Sequence, residues 1–211
     1  MEDPSIQALV LVALGSYVIG SFPTAYVVVR RFTGRNVMEY GTGNVGTMNT
    51  LRSTNSKTLT LIVLLGDIGK GGLALLLGYL VSLGFDYTSS TTLAVAGITA
   101  VVGHNYSVFL KLKGGKGLAT AAPVLLYLEP VLCAVWIGVF LLTVLVSRLM
   151  VMGQISGTVA APLLGLVFFY DSVVPVGILS AIVFIRHAPR LKNIVKGTEP
   201  RMYYRIREGH R

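Results

Sequence analysis

Lys111, Lys113 and Lys116 share a short stretch with Gly114, Gly115 and Gly117, between two apolar runs that cover 92–110 and 118–128. Glycine lets backbone N–H groups approach a ligand closely, and lysine supplies charge. A helix opening near Gly117 would aim its dipole at the same place. That chemistry suits a phosphate group. The same residues would also serve as a plain inner loop whose lysines fix topology. A second stretch, Gly41-Thr42-Gly43-Asn44-Val45-Gly46 followed by Asn49 and Arg52, repeats the combination and favours phosphate binding. Neither stretch fits a known nucleotide motif. No strand precedes Gly41 and no βαβ unit fits in this chain, and the Gly114–Gly117 stretch lacks the spacing and the Ser/Thr of a P-loop.

The elements that must position these loops follow from composition. Of 211 residues, 53% are hydrophobic and 13% charged, and the mean hydropathy is +0.71. This predicts an all-α integral membrane protein with room for six or seven spans of about 20 residues and little else. The net charge of +9 flanks apolar runs without forming a separate basic domain, so nucleic acid is not expected as a partner. Cys133, the only cysteine, lies in an apolar run, which leaves no disulfide framework and no cysteine metal site. No metal and no cofactor is expected. The first apolar run is read as a retained span, since its leading residues are acidic and no small-residue cleavage site follows.

The apolar runs are 6–29, 59–83, 92–110, 118–128, 131–147, 150–170 and 173–185. Residues 118–147 could form one kinked helix or two crossings separated at Glu129-Pro130. Charge decides between them. With seven spans, all 18 Lys and Arg lie on one side or, for Lys70, within a span, while Glu2, Asp3, Asp86, Glu129 and Asp171 lie on the other. The positive-inside rule then places the N-terminus outside and the C-terminus in the cytoplasm, with both glycine-rich stretches on the cytoplasmic membrane face. No internal repeat is visible. Asp67 and Lys70 are three apart and can pair on a helix. Either they face the bundle, or the span begins near Asp67 with Leu59–Gly66 lying along the membrane surface as a lid; the second reading is preferred.

His104 lies near the inner end of its span, beside the Lys116 loop, and is a candidate for polar packing or for the site. His187 and Arg190 stand where the last span meets the basic tail and can reach the same face. From Lys196 onward the tail is expected to be solvated.

These residues together resemble the bacterial acyl-phosphate:glycerol-3-phosphate acyltransferase family, the PlsY family. The resemblance is carried by Gly20-Ser21-Phe22-Pro23, the Gly41–Gly46 stretch with Asn49 and Arg52, Asp67 with Lys70-Gly71, Gly103-His104 through Phe109-Leu110, Gly114–Thr120, and His187 with Gly197-Thr-Glu199. It implies a seven-span membrane enzyme of phospholipid biosynthesis that moves an acyl chain from acyl phosphate to the 1-hydroxyl of glycerol 3-phosphate, giving lysophosphatidic acid and phosphate.

By that resemblance Gly41, Thr42, Gly43, Asn44, Gly46 and Asn49 hold the acyl phosphate together with Gly114, Gly115, Lys116 and Gly117. Arg52, Lys116 and His187 hold the glycerol phosphate, and Arg190, which can reach the same face, is a further substrate-binding candidate. Lys116, Arg52 and His104 are the catalytic candidates. Lys116 would stabilise developing charge, and the hydroxyl proton would pass to His104 or to a substrate phosphate oxygen. The remaining partner is membrane lipid; the sequence leaves the oligomeric state open and is compatible with a monomer.

Departures from the family pattern fall at Asn36, Met38, Thr42, Thr47, Met48, Val151, Gln154, Arg190 and Asn193, the last two as though exchanged. Those at Val151, Gln154, Arg190 and Asn193 touch the side that grips the acceptor, so another phosphorylated polyol stays open as acceptor. From a different class, a phosphate or phospho-compound transporter would also need basic loops, but it predicts polar residues at the membrane midplane.

Overall fold

The computed structural model describes residues 4–85 and 90–201. Glu2, Asp3, Asp86 with the outer loop through 89, and the basic tail from 202 lie outside the described residues. Those described are helical or irregular, and six helical stretches are long and apolar enough to cross a membrane. Their outer faces remain apolar. On one helix alone Leu141, Leu142, Leu145 and Val146 are exposed, an arrangement suited to lipid and unfavourable in water.

The first apolar run was expected to be one helix and is two, α1 (Ile6–Ser21) and α2 (Thr24–Thr33). Pro23 has no N–H to continue the ladder, so the helix breaks there. The carbonyls released at the break find donors far away in sequence. Lys70 Nζ donates to Phe22 O at 2.8 Å, and the Ser107 hydroxyl donates to Ser21 O.

Lys70 belongs to α4 (Lys57–Gly84), which overturns the preferred surface-lid reading of Leu59–Gly66. The helix is continuous through Asp67. Its first part is already in the core, where Val63 is fully buried with Ala25, Val29, Val37 and Val45. Asp67 and Lys70 are 2% and 5% exposed and pair at 3.0 Å. The pair faces the bundle because both the break in the first helix and His104 need polar partners there.

α5 (Ser90–Asn105) packs along α1 at very short range: a Cβ on Gly20 would collide with the Ala100 carbonyl, and one on Gly103 with the Tyr17 carbonyl. After the glycine-lysine loop come α6 (Leu118–Leu128), α7 (Pro130–Ser147), α8 (Met150–Phe168) and α9 (Val173–His187). The chain is extended at Glu129, so 118–147 is two helices. With 11 residues, α6 is about 16 Å long. It lies antiparallel beside α9. Its start adjoins the end of α9 through the loop that Arg186 grips, and at its far end the Ser172 hydroxyl, just before α9, lies 3.4 Å from Leu128 O and 3.3 Å from Glu129 Oε2.

Candidate active site

The loop between α5 and α6 is fixed first by the backbone. Gly114 N–H donates to Asn105 O at 3.2 Å and Gly115 N–H to His104 O at 2.9 Å, satisfying carbonyls that the end of α5 leaves open. Arg186, in the last turn of α9, then donates from Nε to Gly115 O at 3.0 Å and from Nη2 to Gly114 O at 2.9 Å. Its guanidinium also lies 5.1 Å from the ring centre of Tyr106. Gly114 and Gly115 therefore hold the loop in place, and their amides are already used.

The free donors come directly afterwards. Gly117 takes the left-handed region at φ +83°, and α6 starts at Leu118. Every N–H from Lys116 to Thr120 is without an acceptor among the described residues. The Lys116 ammonium is likewise without a hydrogen-bond partner among them. Convergent amides at a helix N-terminus beside a free cation make an anion cradle. Burial lowers the Lys116 pKa to about 8, and the cations of Arg190, Arg52 and Arg186 add to this while Glu199 opposes it.

The other glycine-rich stretch is built around Asn49, which is 1% exposed on α3 (Thr47–Thr54). Its Oδ1 accepts from the N–H of Thr42 at 2.9 Å and from the Thr42 hydroxyl at 3.3 Å; its Nδ2 donates to Val37 O and Tyr40 O. Gly43 N–H and Gly46 N–H are also bonded within the loop. Gly41 and Gly43 have φ of +60° and +67°, which only glycine adopts at no steric cost. The N–H groups of Gly41, Asn44, Val45, Thr47 and Met48 are left without an acceptor among the described residues. The two stretches meet, since a Cβ on Gly115 would lie 2.6 Å from Val45 O. Arg52, in the last turn of α3, is among the cations that act on Lys116.

At the end of α9, His187 is 1% exposed and its Nδ1 lies 2.8 Å from Val183 O, which makes Nδ1 the donor and leaves Nε2 as a buried acceptor. Its charged neighbours are Lys116, Arg186 and Arg190. Arg190 makes a two-pronged bond to Glu199, Nε to Oε2 at 2.9 Å and Nη2 to Oε1 at 2.7 Å. Glu199 is 7% exposed, so the expectation of a solvated tail from Lys196 fails there. The chain turns back after the short helix α10 (Leu191–Val195), with the N–H groups of Thr198 and Glu199 on Asn193 O.

His104 lies behind the loop. Its Nε2 is where a Cβ on Gly115 would collide, and its Nδ1 is 3.7 Å from Asp67 Oδ1. A polar space of about 10 Å³ separates Ser21, Thr24, Asp67, Lys70, His104 and Gly115, room for about one water.

Lys116, Arg52, His187 and Arg190 are thus brought together by helices far apart in sequence. Asn49, Thr42, Gly43, Gly46, Gly114 and Gly115 shape the walls. Arg186 and Glu199 went unnoticed as site residues. The signal for Arg186 was its place as the first cation after the last apolar run, directly before His187. Arg186→Lys should lower kcat/KM between roughly tenfold and a hundredfold, because an ammonium cannot grip two successive carbonyls and a small loop displacement is costly. Steady-state kinetics on the folded variant checks this, and an unchanged kcat/KM contradicts the clamp.

The family model for glycerol-3-phosphate acyltransferase matches residues 10–197. A glycerol-3-phosphate acyltransferase of Geobacillus kaustophilus is 36% identical over 91% of this chain and 95% of its own length. One from Synechococcus elongatus is 36% identical over 95% of this chain and 98% of its own. Among solved structures, the glycerol 3-phosphate form of PlsY (YgiH), an integral membrane glycerol 3-phosphate acyltransferase, superposes with a TM-score of 0.79 at 27% identity, covering 92% of this chain and 94% of that one. Its lysophosphatidic acid form gives 0.77 over the same shares.

Proposed function

We propose that this chain, which belongs to the glycerol-3-phosphate acyltransferase family, transfers an acyl group from acyl phosphate to the 1-hydroxyl of glycerol 3-phosphate, giving lysophosphatidic acid and phosphate. The observation that carries the reading is the cradle of unpaired amides from Lys116 to Thr120 beside the Lys116 ammonium. An acyl phosphate presents a phosphate to that cradle and a carbonyl beside it. The acceptor phosphate goes to Arg52 and the Nη1 group of Arg190 that Glu199 leaves unused, and Nε2 of His187, an acceptor, takes a hydrogen bond from a hydroxyl of the glycerol.

The acceptor oxygen attacks the acyl carbonyl carbon, a C–O bond forms, and the bond from that carbon to the phosphate oxygen breaks. Charge that develops on the carbonyl and on the leaving phosphate is met by fixed amides and Lys116. Because His104 lies behind Gly115, its part is to support the loop. The hydroxyl proton goes to a substrate phosphate oxygen.

The antiparallel course of α6 beside α9 supports seven crossings, with an outer N-terminus and the site on the cytoplasmic face. The chain would act in the cell membrane.

Labelled glycerol 3-phosphate with palmitoyl phosphate should yield labelled lysophosphatidic acid, and palmitoyl-CoA should not replace the donor. Product from palmitoyl-CoA alone would contradict the donor assignment. The Lys116 ammonium must be charged to hold phosphate, and in the free protein it loses its proton through about pH 8. A plot of kcat/KM for acyl phosphate against pH should therefore fall above about 8, and Lys116→Arg should move that limb upward, since arginine stays charged. An unmoved limb would assign it to another group.

A further inference from the structure

We infer that the polar space behind the glycine-lysine loop binds one water, shared by Ser21, Thr24, Asp67 and His104, and that Thr24 is a positioning residue that acts on the cradle through it. The effect on turnover rests on the proposed reaction; the water does not. The break at Pro23 supplies two of the four groups. Its carbonyls are met by Lys70 and Ser107, but the hydroxyls of Ser21 and Thr24 on either side have no partner among the described residues. Both residues are buried and both line the space. His104 Nδ1 is also buried without a partner among the described residues, and lies 3.7 Å from Asp67 Oδ1. That separation is beyond a direct hydrogen bond and within the span of one bridging molecule.

Three such atoms around a space of about 10 Å³ meet the needs of a structural water, which are room for a single molecule and roughly two to four polar partners. A cation does not suit the space, because the Lys70 ammonium is already on the Asp67 carboxylate at 3.0 Å. The water accepts from Nδ1–H of His104 and from one hydroxyl, and donates to Asp67 Oδ1 and to the other hydroxyl. The carboxylate draws the ring proton to Nδ1, which leaves Nε2 bare toward Gly115.

Thr24 is the partner held from outside the space. A Cβ added to Gly66 of α4 would lie 2.5 Å from Thr24 Cγ2 and 3.7 Å from its Oγ1, so the methyl is seated on that helix and the hydroxyl is left for the water. The water in turn sets the tilt of the imidazole. Nε2 of that ring is where a Cβ on Gly115 would collide, and His104 O accepts the Gly115 N–H at 2.9 Å. Lys116, the next residue, opens the cradle. The break in the first helix is thereby coupled to the loop that holds phosphate.

The chain has three histidines, His104, His187 and His210, few enough to read one by one. Their ring nitrogens are observed by NMR in detergent-purified protein carrying isotopically labelled histidine, and variants lacking each histidine in turn identify the His104 signals. The expected spectrum has the proton on Nδ1 and shows transfer of magnetisation to it from water. A proton on Nε2, or no contact with water, overturns the inference. Thr24→Val keeps a methyl for Gly66 and removes the hydroxyl. It should shift the Nδ1 resonance and lower kcat/KM for acyl phosphate roughly tenfold, the scale of a small displacement of the cradle, and Thr24→Ser should restore most of the loss. An Nδ1 resonance unmoved by Thr24→Val, or an equal loss in both variants, contradicts the positioning role. If no donor gives lysophosphatidic acid, the proposed reaction fails, while the His104 spectrum still decides the water.

Discussion

Lys116→Ala lowers turnover by roughly two to three powers of ten, the size of effect expected when one preorganised donor to a developing anion is removed. The reason is local. Amides from Lys116 to Thr120 stay in place without the side chain, because the loop is held through Gly114 and Gly115 by Arg186 and by the end of α5. Binding of the donor phosphate survives in part, and what is lost is the one charge that follows negative charge onto the departing phosphate. The effect therefore falls mainly on kcat. Lys116→Arg retains charge but not the compact ammonium, and falls between the two. Single-turnover release of phosphate separates these cases, and a folded Lys116→Ala protein with unchanged turnover removes this residue from the site.

Gly115→Ala produces the next largest loss, about a hundredfold in kcat/KM, through position alone. The added methyl group would collide with His104 Nε2 and lie 2.6 Å from Val45 O. The first contact belongs to a buried side chain backed by Asp67, and the second to the backbone of the neighbouring glycine-rich stretch. Neither can yield without moving one loop from the other. Overpacking of this kind costs about 1–3 kcal/mol of stability as well. Gly72→Ala is the matched comparison, because nothing lies near its added carbon and it is inside α4. That variant should keep full activity and be slightly more stable. Equal activity of the two variants would contradict the contact between the loops.

Most of the apolar runs were legible because they are long enough to cross a bilayer, whereas α6, with 11 residues, is not. The meeting of the two glycine-rich stretches was legible because charge placed both on one side. What stayed hidden depends on long-range bonds. Pro23 was visible, yet the break it makes is stabilised by Lys70 and Ser107, far along the chain, and that partnership is also why Asp67 and Lys70 face the bundle. Glycines at 114 and 115 looked like phosphate donors by type. Only the geometry of α5 and Arg186 shows that their amides are committed and that the cradle is displaced toward Thr120. Glu199 looked solvated in a basic tail, whereas the turn after α10 brings it onto Arg190. Its carboxylate tempers a cluster that otherwise holds Arg52, Lys116, Arg186 and Arg190.

The departures at Arg190 and Asn193 take a physical form in this arrangement. Arg190 gives two bonds to Glu199, and Asn193 contributes its carbonyl to the turn rather than a side-chain contact. The cluster keeps a cation at the acceptor side, which is consistent with a phosphorylated acceptor.

The most direct measurement is simultaneous release of phosphate and formation of lipid product by the detergent-purified protein given palmitoyl phosphate with glycerol 3-phosphate, with glycerol 1-phosphate, or with no acceptor. Equal amounts of phosphate and lysophosphatidic acid with glycerol 3-phosphate, and little release without an acceptor, are the predicted result. Phosphate release that is the same with and without glycerol 3-phosphate, and yields no lysophosphatidic acid, would contradict acyl transfer at this site.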